Sequence, residues 1–125
     1  MTADIYTAIA VELAKVGGID TVGVVSSEGQ TAILYAGTKT MTKYIRGPKK
    51  QALLFQISGM DVNDRQQELI RHVTDIVNRL ECSRIDVQGI SGAKVMVNNM
   101  PIPTMHNEKH WIYSANIQIE FYLKG

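Results

Sequence analysis

The sequence predicts an α+β fold, a mainly antiparallel sheet packed by two helices. Three observations predict it: two amphipathic helical stripes, several short β-branched segments between and after them, and a long terminal run of alternating apolar and polar residues. The order helix, strands, helix, strands is not regular βαβ winding. At 125 residues the chain has the size of one domain, spanning 1–125, with room for a single core.

Residues 4–16 read as the first helix, because Ile5, Ile9, Leu13 and Val16 recur at helical spacing while Glu12 and Lys15 lie off that stripe. Thr2 or Asp4 can cap its start, and Gly17-Gly18 ends it. Residues 21–26 and 31–36 read as two strands joined by a hairpin turn at Ser27-Glu28-Gly29-Gln30. A third strand from Gln51 to Ser58 is apolar on both faces, the mark of a central strand. The second helix begins at Asp64, which stands in capping-box spacing with Gln67, and carries Leu69, Val73, Ile76 and Leu80 as one stripe. Arg71, Asp75 and Arg79 form a solvated ladder on its other side.

Short strands are expected at 85–90 and 93–97 with Ser91-Gly92 as their turn, followed by a loop from Asn98 to Glu108. Pro101 and Pro103 exclude that loop from a central strand. The last segment is the clearest strand. Trp111, Tyr113, Ala115, Ile117, Ile119, Phe121 and Leu123 share one face, and its length exceeds the usual strand of about 5–6 residues.

Apolar residues make up 45% and charged residues 20% of the chain, and the formal net charge is +1, so no general attraction to nucleic acid or anionic membrane is expected. The single cysteine, Cys82, rules out an internal disulfide. Asp4 and Glu12 interrupt any basic-then-apolar leader pattern, and no apolar run approaches the roughly 18 residues of a membrane span. A cytoplasmic setting is the expectation.

No catalytic, cofactor-binding or metal-binding signature emerges. Cys82 has Glu81 beside it, which opposes a reactive thiolate. His106 and His110 would share a face only on a helix, and they flank a proline-containing segment that leads into a strand; they and His72 read as surface histidines. Gly89 and Gly92 lack the lysine and hydroxyl residue of a phosphate loop. An enzymatic role, a cofactor and a metal are therefore not expected.

One charge feature stands out. No acidic residue lies between Glu28 and Asp61, while Lys39, Lys43, Arg46, Lys49 and Lys50 all fall there. The polar segment 38–50 reads as a long loop or β-arm, and these five residues are the candidate subunit or partner interface. Carboxylates cluster elsewhere, at Asp61, Asp64, Glu68, Asp75, Glu81 and Asp86. A basic arm on one copy facing an acidic helix on the next makes a head-to-tail contact, the kind that closes into a ring.

The helix Ile5–Val16, the strand Ala52-Leu-Leu-Phe-Gln-Ile57, the helix from Asp64 to Leu80, and Pro101-Ile-Pro103 followed by Trp111-Ile-Tyr113 together resemble the minor capsid proteins of the tail-terminator type of long-tailed bacteriophages and prophages. The resemblance covers nearly the whole chain and rests on architecture, with no catalytic motif to transfer. It implies a homo-oligomeric ring, commonly hexameric, at the head-proximal end of the tail. Such a ring ends tube growth and joins the tail-tube protein to the head connector. The setting implied is the virion neck, assembled in host cytoplasm, with no cofactor, no membrane, and DNA only as passing cargo. Two other readings remain open at this point: a head–tail connector or stopper protein, and a small nucleic-acid-binding module that would use Tyr44 and Tyr122 for base stacking.

Overall fold

A computed structural model describes residues 3–25, 27–40 and 50–123. Its elements are α1 (Ala3–Gly17), β1 (Thr21–Val22), β2 (Thr31–Thr40), β3 (Lys50–Val62), a 3₁₀ turn (Asn63–Arg65), α2 (Gln66–Cys82), β4 (Ile90–His106) and β5 (His110–Leu123). The strands form one sheet in the order β1-β2-β3-β5-β4. All neighbours are antiparallel except β1 and β2. The α+β class read from the sequence is the fold observed.

Both helices cover the same face of the sheet. α2 lies across β3, β4 and β5, and α1 packs on β1, β2 and α2. The core forms where the α2 stripe Leu69, Val73, Ile76, Val77 and Leu80 meets Leu53, Phe55 and Ile57 of β3 and Ala115, Ile117, Ile119 and Phe121 of β5. Ile9 and Leu13 bring α1 into the same cluster. Gly59 of β3 is where α2 comes closest. A Cβ there would stand 2.8 Å from Val73 Cγ2 and 2.9 Å from Leu69 Cδ1.

Four local expectations are corrected. Residues 21–26 and 31–36 do not form a hairpin: β1 is two residues long and runs parallel to β2, Thr21 opposite Ala32. The Asp20 carboxylate fixes that direction by accepting the Thr31 amide at 2.8 Å and its hydroxyl at 3.1 Å. Gly23, at φ 134°, then takes the chain out of the strand. Asp64 and Gln67 form no capping box, since α2 starts at Gln66 with no side-chain cap. The turn before it is held instead by Asp61, which accepts the Val62 amide at 2.8 Å and pairs with Arg65 at 3.1 Å.

Residues 85–89 are not a strand; Ile85 and Ile90 are buried, and β4 begins only at Ile90. The proposed loop 98–108 belongs largely to β4, which runs unbroken to His106. Pro101 and Pro103 are tolerated because β4 is an edge strand, where an outward-facing position needs no amide donor. Register shifts along β4 absorb the irregularity.

Candidate assembly surface

Among the described residues, one face of the sheet carries no helix. Alternation places Leu54, Gln56 and Ser58 of β3 there, with Ile112, Ser114, Asn116, Gln118, Glu120 and Tyr122 of β5 beside them. Ser114, Gln118 and Glu120 are nevertheless buried, at 3%, 4% and 8% exposure, because β5 is central and the side chains of β3 and β4 close over it.

Polar groups at that depth need partners, and the pairing runs along the strand. Ser114 shares hydrogen bonds with Ser58 at 2.8 Å and Thr104 at 3.0 Å. Asn116 donates to Asn99 at 2.8 Å. Gln118 donates to one Glu120 oxygen at 2.9 Å, and Lys50 Nζ lies 3.0 Å from the other. The hydrogen bond from Lys50 holds the Glu120 carboxyl below the usual carboxylate range against the opposing effect of burial, with Lys94 adding to the depression. The same bond raises Lys50 above the ordinary lysine value. Lys50 Nζ also sits 6.0 Å from the centre of the Tyr122 ring. The polar row on this face is thus largely satisfied from within.

Near its β1 end the face dips into a trough of about 270 Å³ with Val24, Leu34, Met105 and Ile112 around it and Gln56, Ser58 and Ser114 at its base. A second cleft, of about 340 Å³, opens between α2 and the turn at Gly29. Asp61, Arg65, Glu68, Arg71, His72 and Asp75 line it, so charges of both signs alternate around it.

The five basic interface candidates are placed unevenly. Lys39 is exposed on β2 and Lys50 forms the pair with Glu120, whereas Lys43, Arg46 and Lys49 lie outside the described residues, as does Tyr44. Register sets Lys39 opposite Ala52. Of the carboxylates expected to face a basic arm, Asp61 is committed to Arg65, and Asp86 lies 3.4 Å from Arg84. The burial of the β5 polar row has no signature in the sequence: alternation separates these residues from the apolar face, but their burial depends on neighbours far away in the chain.

The other singled-out residues do not converge. Cys82 is exposed. His106 stacks on Trp111 with ring centres 3.7 Å apart, and His110 Nε2 lies 2.6 Å from Glu28 Oε1. Among the described residues no group of His, Cys, Asp and Glu is arranged to hold a metal ion. Among them too, no helix is long and apolar enough to cross a membrane. Trp111, Tyr113 and Phe121 lie on the helix-covered side of β5, Tyr113 and Phe121 buried, as their alternation predicted. No family model and no curated protein matches this chain.

Proposed function

We propose that this chain is a structural subunit of a ring at the head-proximal end of a long phage tail, where it ends tube growth and joins tail to head. The observation that supports this reading is the bare sheet face. It is broad, and its polar groups are paired with one another, from Ser58 and Ser114 to Lys50 and Glu120. A surface finished in this way can meet another protein without leaving buried polar groups stranded.

The test is tube growth. The tail-tube protein is polymerised with and without this chain, and lengths and ends are read by electron microscopy. Shortened tubes bearing extra density at one end only are expected. Unchanged lengths with bare ends would sink the terminator role.

Nucleic-acid binding is the second reading. Tyr122 lies beside Lys50 on the bare face, and Lys94 faces Glu120 there. Salt-sensitive binding of short oligonucleotides that Tyr122→Ala weakens would favour it; no retention at low salt would dismiss it.

A further inference from the structure

The trough at the β1 end of the bare face has a floor whose hydrogen bonds run in one direction. Three hydroxyls stand in a row there. Thr104 donates its proton to the carbonyl oxygen of Ile112 at 3.3 Å. A hydroxyl has one proton to give. Thr104 therefore accepts in its 3.0 Å contact with Ser114. Ser114, its own proton used, accepts in turn from Ser58 at 2.8 Å. Ser114 is only 3% exposed, so solvent does not compete within the row. The row ends at Ser58, whose oxygen keeps lone pairs and has no proton left. Gln56 lies two residues away on the same face of β3 and also lines the trough. Its amide bonds to no other described residue.

The walls are apolar. Val24, Val25, Leu34, Met105 and Ile112 form them, and no ionisable side chain is among the described lining residues. Glu28 and His110, which share the neighbouring hollow with Met105, are paired with each other. Val24 is 76% exposed and Leu34 39%. Large apolar side chains gathered around one concavity mark a contact site, where single scattered ones would not. At about 270 Å³ the trough is smaller than the roughly 300–1,000 Å³ that encloses a drug-sized molecule, and suits one side chain with its peptide group.

We propose that the trough holds one apolar residue of a partner polypeptide by side chain and backbone together. The side chain lies against the walls, the residue's N–H donates to Ser58, and its carbonyl oxygen accepts from the Gln56 amide. The proposal rests on the reading above, that this face meets another protein, and names the kind of residue that protein inserts. In extended backbone the N–H and C=O of one residue point the same way, one donor and one acceptor side by side. Ser58 and Gln56 present the matching acceptor and donor. A carboxylate has no proton for Ser58 and meets no cation in the trough, and an ammonium meets no carboxylate. A hydrocarbon chain would cover Ser58 and Gln56 without satisfying either.

The probe is N-acetyl-leucine N′-methylamide, a single capped apolar residue, titrated into the full chain and followed by NMR. Saturable shifts are expected at Val24, Leu34, Met105 and Ile112, with a dissociation constant of about 1 mM. N-acetyl-leucine at neutral pH, which carries a carboxylate in place of the second amide, should bind about tenfold more weakly or worse. N-acetyl-glycine N′-methylamide, which lacks the side chain, should do the same. Val24→Glu places a charge in the wall at a well-exposed position and should remove binding while the thermal midpoint stays at the wild-type value. Ser58→Ala and Gln56→Ala should each weaken binding about tenfold. Gln56→Ala leaves the hydroxyl row intact, so its result stands even where Ser58→Ala is poorly folded.

No saturable shift, shifts outside the trough, equal binding of the carboxylate or glycine probe, or undiminished binding by Gln56→Ala overturns the proposal. A chain that binds the probe as expected and leaves tube growth unchanged overturns the phage reading alone. A chain that caps tubes and ignores the probe overturns the trough assignment alone.

Discussion

At the scale of single residues, the backbone at Gly59 and the ion pair on the bare face carry different burdens. Gly59→Ala forces a methyl against the stiff Val73 side chain, at a spacing real Cβ atoms do not adopt. A loss of about 1–3 kcal/mol is expected in denaturant unfolding. Ile117→Ala empties a fully buried site between α2 and the sheet and should cost more, about 2–5 kcal/mol. Lys50 and Glu120 act through pH. Glu120 is held below its unfolded value, so its contribution is present above the unfolded carboxylate range and is lost as pH falls through the folded pKa. Lys50 is raised, so its contribution is complete below the unfolded lysine value and is lost as pH rises through the folded one. The pair therefore stabilises the fold across the range between the two. Glu120→Gln should flatten the acid limb of the stability–pH profile; an unchanged limb would show that the pair contributes nothing there.

At the scale of elements, what could be read in the chain was whatever repeats locally. β5 announced itself because every second side chain from Trp111 to Leu123 points into the core, and α2 because Leu69, Val73, Ile76 and Leu80 recur on one side. The direction of β1 could not be read in this way, since it is set by Asp20 reaching Thr31 across the intervening turn. Asp20→Ala should cost about 1 kcal/mol and accelerate hydrogen exchange at Gly23, whose amide donates to Ile33. The start of α2 was misplaced because Asp61 does its work one turn earlier than the spacing of Asp64 and Gln67 implies. Only the second half of β4, from Asn98 on, reads as a loop, because proline content says which strand position is forbidden, not whether the sheet has an edge to offer. Of the assembly surface, the alternation on β5 gave the face, but the pairing of Ser114 with Ser58 and Thr104 joins residues distant in sequence.

At the scale of the whole molecule, the described helices cover the sheet on one side only, and its centre is made by strands paired across long stretches of chain. Loop closure must precede those pairings, so refolding from denaturant should take roughly milliseconds to seconds, slower than a helical bundle of equal length. Hydrogen exchange should be slowest in β3 and β5 and fastest in β1, following their depth in the sheet. The alternation of these two central strands has a further consequence. In β3 from 53 to 59 and in β5 from 113 to 121, odd-numbered residues point toward the helices and even-numbered ones away from them. The monomer's own integrity and its outward face are thus written in the same two stretches of chain, interleaved by parity. A lineage can rewrite the even positions to follow a changing neighbour only where hydrogen-bonded pairs such as Ser58–Ser114 and Gln118–Glu120 change together, while the odd positions keep the apolar core.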